Sequence, residues 1–121
     1  MFGFTDVFFC PLQVNVLSEI LLHMAQKRLN GIFHVVSSES LSKYDFGCRI
    51  AQQFGLDQSL ISPVSWKEGG LKAARSPNLT LRTDRLALAL GQALPNQAAG
   101  LDHFHNQYLE GLPEKIQQFA R

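Results

Sequence analysis

The 121-residue sequence has no glycine-rich phosphate loop. Neither G-x-G-x-x-G, G-x-x-G-x-x-G nor G-x-x-x-x-G-K-[ST] occurs, and the adjacent pair Gly69-Gly70 stands alone. A backbone cradle for the phosphates of a nucleotide or dinucleotide is therefore missing. Tyr44 is followed four positions later by Cys48, and Tyr108 by Leu112. A tyrosine acid helped by a lysine one turn on is absent too. There is no H-E-x-x-H and no nucleophile elbow. Cysteine is scarce: Cys10 and Cys48 are far apart and flanked by apolar residues. That spacing excludes a disulfide framework, predicts buried reduced thiols and fits a cytoplasmic protein.

Charge of one sign is lacking as well. Eleven basic and ten acidic residues leave a formal net charge of +1. No basic run stands out, which argues against nucleic acid as a partner. The longest apolar stretches fall far short of a membrane span. The first twelve residues, MFGFTDVFFCPL, hold no lysine or arginine and are interrupted by Asp6, so they make a poor signal peptide. What is present is 45% hydrophobic residues, enough for the core of one small domain.

The clearest stretch is Gly31 to Phe46, GIFHVVSSESLSKYDF. Ile32, Phe33, Val35 and Val36 form a short, nearly continuous apolar run, which predicts a strand buried on both faces. Ser42 and Asp45 have capping-box spacing, and Phe46, Ile50 and Phe54 then recur every four residues on one helical face. The unit reads as strand, polar loop, helix. Such a loop is either a ligand site at the carboxyl end of a strand or an ordinary βα corner.

Before it, residues 1–10 read as an aromatic-rich arm or loop. A helix opens at Pro11, carries Val14, Leu17, Ile20, Leu21 and Met24, and ends at Asn30-Gly31. After it come Gly55, a weak strand over Ile61–Trp66 demoted by Pro63, and a loop KEGGLKAARSPN. Leu79–Leu81 reads as extended. Thr83 caps a helix closed by Gly91, Leu94–Ala99 is a linker, and a helix runs from Gly100 to Gly111. Pro113 breaks or restarts it, and a tail helix ends at Arg121. That content is α/β with very few strands. A doubly apolar strand with so few neighbours predicts part of a larger fold.

Candidate ligand groups are few. His103 and His105 point in different directions on a helix, so no metal site is expected from them. His34 is expected to be a core histidine bonded to backbone or a neighbour. Arg75, in a Gly/Pro-flanked loop with Lys67, Lys72 and Arg82 nearby, can either grip a phosphate or stand as a solvated charge.

Several motifs resemble one family in the right order: D-x-x-F-x-P (Asp6 to Pro11), GIFHVV-x-x-E-x-LSKYDFG (Gly31 to Gly47), I-x-P-V (Ile61 to Val64) and AARSPNLTL-x-T-x-x-L (Ala73 to Leu86). The chain resembles, over residues 4–91, the C-terminal substrate-binding part of the extended short-chain dehydrogenase/reductases. Within these it is most similar to the dTDP-4-dehydrorhamnose reductase group of sugar-nucleotide reductases. The resemblance implies an α/β fold, the helix-rich C-terminal lobe of an extended Rossmann-type reductase with few strands and without the N-terminal dinucleotide-binding half. It implies one lobe over 1–121: an arm (1–10), a family-like core (11–91) and a helical tail (92–121). Arg75 matches the arginine near the sugar-nucleotide diphosphate, although the family's proline directly after it comes one residue later here. Asp6 to Pro11 match a loop bordering the substrate pocket, and Ser42 to Tyr44 match a structural helix opening.

The family's NAD(P) loop and Tyr-x-x-x-Lys acid lie in the half that this sequence does not contain. The resemblance therefore implies a substrate-binding fragment, with no cofactor and no metal of its own, that does not transfer hydride alone. Its partners would be a sugar nucleotide, bound weakly, or the cofactor-binding half, with self-association through residues 32–36 a further possibility. The alternative is a non-catalytic regulatory or interaction module descended from the same family, since some of its relatives serve as enzyme subunits.

Overall fold

The computed structural model of the protein describes residues 1–70 and 76–119. The first ten residues are not a free arm. They form β1 (Phe2–Phe4) and β2 (Phe8–Phe9). Then follow α1 (Val14–Gln26), β3 (Leu41–Ser42), α2 (Lys43–Gln53), β4 (Ser62–Val64), β5 (Asn78–Leu79), α3 (Asp84–Leu90), α4 (Gln97–Leu109) and α5 (Leu112–Phe119). The strands make two small sheets. β1 lies parallel to β4, with Gly3 opposite Pro63. β2 is the centre of a three-stranded sheet, antiparallel to β3 and parallel to β5. Pro63 is tolerated because, among the described strands, β4 has a neighbour on one side only.

Local chemistry explains the helix ends. α1 starts three residues after Pro11 rather than at it, because the Gln13 side chain accepts from the Val16 amide at 2.8 Å and serves as the cap. α2 starts where the Ser42–Asp45 spacing predicts. The Asp45 amide donates to Ser42 Oγ at 3.0 Å, and that hydroxyl donates to Asp45 Oδ2 at 2.6 Å. The Ser42 side chain is fully buried, so this cap is part of the interior. α3 is flanked by Thr83 and Gly91 as expected, although the Thr83 side chain makes no capping bond. α4 begins at Gln97, three residues earlier than Gly100 would suggest. Asn96 accepts from the Ala99 amide at 2.9 Å, and the apparent linker is the first turn of the helix.

The main core joins α1 to α3. Ile20, Leu86, Leu90 and Leu94 are buried together, with Val16, Met24, Phe33 and Val35 packed against them. Segment 32–36 departs from expectation. It belongs to no strand, and Ile32 is 81% exposed. Phe33 and Val35 reach the core, whereas Ile32 and His34 face out. The physical reason is that a strand needs a ladder partner, and none of the described strands lies beside this segment. Side chains hold it instead: Arg85 Nη1 donates to the Ile32 carbonyl at 3.1 Å, with the guanidinium 4.7 Å from the Phe33 ring centre. His34 is bonded to backbone, through Nδ1 and the Arg82 carbonyl at 3.2 Å, but it is exposed rather than in the core.

Candidate functional site

Asp6 sits in the turn between β1 and β2 and faces the loop after β4. Its Oδ2 accepts from Ser65 Oγ at 2.6 Å, and its Oδ1 accepts from the Trp66 amide at 2.9 Å. These bonds favour the ionised form, the Ser65 hydroxyl most and the Trp66 amide next, and hold the Asp6 carboxyl below the usual carboxylate range. Both carboxylate oxygens thus accept a bond from this loop.

The same loop presses on β1 a few residues later. A Cβ on Gly69 would stand 2.4 Å from the Phe4 ring, so only glycine lets the backbone approach this closely. Beyond the gap in the described chain, the Phe8 amide donates to the Pro77 carbonyl at 2.8 Å, and β5 pairs with β2. The described residues on either side of 71–75, Ser65 to Gly69 and Pro77 to Leu79, are therefore both in contact with residues 4–9. Arg75, the phosphate-binding candidate, lies outside the described residues, as does Lys72. Of the other nearby cations, Arg82 pairs with Asp84 at 2.8 Å on the surface.

Lys43 and Tyr44 open α2 beside β2 and β1. The Lys43 ammonium lies 4.7 Å from the Phe9 ring centre. The Cys48 thiol one turn along, by hydrogen bond and then by charge, raises the Tyr44 phenol above its usual value. Among the described residues, no group of three or more metal-binding side chains converges. His103 bonds to Gln107 at 3.0 Å, and His105 lies 4.8 Å from the Phe54 ring.

Sequence reasoning missed a cleft of about 610 Å³ between the start of α1, α2, α4 and α5. Phe46, Ile50, Leu101, Phe104 and Tyr108 supply its apolar walls, and none of the described residues lining it is charged. At its edge Gln107 Oε1 accepts from Gln13 Nε2 at 3.0 Å and from Asn15 Nδ2 at 2.9 Å. The apolar period of α2 and α4 was legible, but it predicted packing rather than a gap.

Comparison with known proteins agrees with this architecture. The RmlD substrate binding domain family matches residues 3–110. The methionine adenosyltransferase 2 subunit beta of Danio rerio is 32% identical over 83 residues, 64% of this chain and 26% of that protein. The Bos taurus counterpart is 31% identical over 91 residues, 70% of this chain and 27% of that protein. The dTDP-4-dehydrorhamnose reductase of Bacillus anthracis, solved in complex with NADP, superposes with a TM-score of 0.78 at 24% identity, over 88% of this chain and 38% of the enzyme. The corresponding protein of Clostridium acetobutylicum gives a TM-score of 0.79 at 21% identity, over 90% of this chain and 39% of that one. At these identities the structural likeness speaks for the fold, and it falls on the C-terminal part of the reductase. The chain spans about a quarter of the length of the curated relatives it matches and about two fifths of the solved chains. With the family match running through most of its length, the chain belongs to the RmlD substrate binding domain family.

Proposed function

We propose that this chain is the sugar-nucleotide-binding lobe of a reductase of the extended short-chain dehydrogenase/reductase type, working in the cytoplasm and unable to transfer hydride by itself. The observation that carries the reading is that the chain before and after residues 71–75 is held to residues 4–9, at Ser65 and Trp66 by Asp6 and at Asn78–Leu79 by β2. Such a clamp suits a loop whose arginine meets a diphosphate, since positioning before binding lowers the cost of ordering it. The described residues do not fit a dinucleotide. The one Gly-Gly pair approaches the Phe4 ring rather than opening a helix toward a pyrophosphate. NAD(P) therefore belongs with a cofactor-binding half, and that half is the proposed partner.

Support for such a partner comes from the surface. Val14, Leu21 and Leu22 of α1 are 66%, 48% and 65% exposed, and Ile32 is 81% exposed. A helix apolar on its core side and again on an outer side suits burial between two bodies. Separate calorimetric titrations with a dTDP-sugar and with NADPH test the reading. Weak binding of the dTDP-sugar, in the millimolar range, and no heat from NADPH are expected of a half-site. Tight NADPH binding by the chain would sink it.

A second reading, a non-catalytic module that regulates a partner enzyme, draws on the description of the Danio rerio and Bos taurus relatives as subunits. It is distinguished by a chain that binds neither ligand yet forms a stable complex with another protein.

A further inference from the structure

The cleft beside α4 is walled on four sides by one chain. The start of α1, α2 and α4 make three walls, and Leu112 and Ile116 of α5 make the fourth. The turn that brings α5 there is made at Gly111, φ +74°, which a residue with a side chain would resist. Walls on four sides make a pocket rather than a flat face. Its volume of about 610 Å³ falls within the range of small-molecule sites, about 300–1,000 Å³.

One polar group decides what such a pocket takes. The Gln97 side chain, at the start of α4, borders the cleft and is only 4% exposed. Its Oε1 accepts from Arg49 Nη1 at 2.9 Å. A guanidinium can only donate, so the amide is held with its oxygen toward Arg49 and its Nε2 turned away. Among the described residues Nε2 has no hydrogen-bond partner, and no side-chain nitrogen or oxygen fully shut off from solvent is left without one. Nε2 therefore keeps contact with open space, and the open space that Gln97 borders is the cleft. Arg49 also pairs with Glu39 at 2.9 Å, so the relay is neutral as a whole, while the cation on the amide oxygen strengthens the amide as a donor. The other amides on the cleft are engaged or exposed. Gln13 and Asn15 donate to Gln107, and Asn96 and Gln117 face solvent.

These features select a ligand. An apolar body matches the walls, and one acceptor on it satisfies the Gln97 donor. A carboxylate or a diphosphate would find no cation among the described lining residues and would lose its hydration. We propose that this cleft binds a neutral, largely apolar small molecule with one carbonyl-type acceptor, to which Gln97 Nε2 donates. The site goes beyond the sugar-nucleotide reading and shares no residue with the loop around 71–75.

Benzophenone is a suitable probe, being neutral, with two aromatic rings and one carbonyl, and it adds across nearby C–H bonds on irradiation. Naphthalene, which has no acceptor, is the control. In NMR titrations of the full chain, saturable one-to-one binding of benzophenone is expected. Gln97→Leu should weaken it about fivefold, the worth of one hydrogen bond, and leave naphthalene affinity unchanged. Photolabelling of the unmodified chain tests the site without relying on that variant, and peptide mapping should place the label on Leu101, Phe104 or Ile116. Two results would overturn the proposal. One is unsaturable binding with label spread over exposed apolar residues elsewhere, such as Leu22, Ile32 and Leu88. The other is a Gln97→Leu chain whose affinities for benzophenone and naphthalene change by the same factor or not at all.

Discussion

The Asp6 carboxylate and the Ser65 hydroxyl meet at 2.6 Å although 59 residues of chain separate them. That bond, with the one from the Trp66 amide, ties the turn after β1 to the loop that leads toward Arg75. Among the described residues its hydrogen-bond partners are the Ser65 hydroxyl and the Trp66 amide, so there it fixes hydroxyl and backbone donors. A short anionic side chain that bonds to both does this at a chain crossing where no regular ladder runs.

Asp6→Asn should therefore loosen the loop over residues 65–70 and lower the melting temperature. The pH dependence has a defined sign. The folded carboxyl titrates below its unfolded value of about 4, so its contribution is present above that value and is lost as pH falls through the folded one. Thermal melts between neutral pH and pH 3 should show the unmodified chain losing more stability on acidification than Asp6→Asn does. Parallel curves would contradict the assignment.

Gly69→Ala places a methyl group against the Phe4 ring, where the approach is 2.4 Å. Overpacking of this kind costs about 1–3 kcal/mol. Phe4→Leu in the same chain should recover part of the loss, because the neighbour then yields. Chemical denaturation of the two single variants and the double variant gives the coupling, and additive losses would place the strain elsewhere.

Ser42→Ala removes both bonds with Asp45 at the start of α2. The expected loss is about 1 kcal/mol, the usual worth of a helix cap. Because Ser42 is buried, the loss should be global and cooperative in denaturant melts rather than local fraying of α2.

Leu86 is the most buried side chain of the α1–α3 core, at 1% exposure. Leu86→Ala should cost about 2–5 kcal/mol, a large part of the stability of a domain this small. Leu88→Ala, two positions on and 86% exposed, should be close to neutral by the same assay.

The sequence made some of this legible and hid the rest for physical reasons. The Ser42 cap and the Thr83–Gly91 bounds of α3 rest on local sequence, and local sequence is readable. β1 and β2 were read as an arm because aromatic pairs such as Phe8-Phe9 do not alternate, and because their partners lie more than thirty residues away. The Gln13 cap was hidden by the better-known preference for Pro11, and the Asn96 cap by Pro95 and Gly100 around it. Segment 32–36 has the composition of a buried strand, yet composition cannot supply a neighbour. Asp6 was legible as a candidate near the substrate loop, but its bonds to Ser65 and Trp66 depend on a crossing that no local pattern encodes.

The account rests on segment 32–36 lacking a sheet of its own. Hydrogen–deuterium exchange followed by mass spectrometry, at dilution where the chain is monomeric, tests this directly. Amides of Phe33 to Val36 should exchange at close to the unprotected rate, while those within α3 are slowed by the helix and its core. Protection of 33–36 matching that of α3 would mean that the chain already pairs this segment, and the reading of a lobe awaiting its partner half would fail.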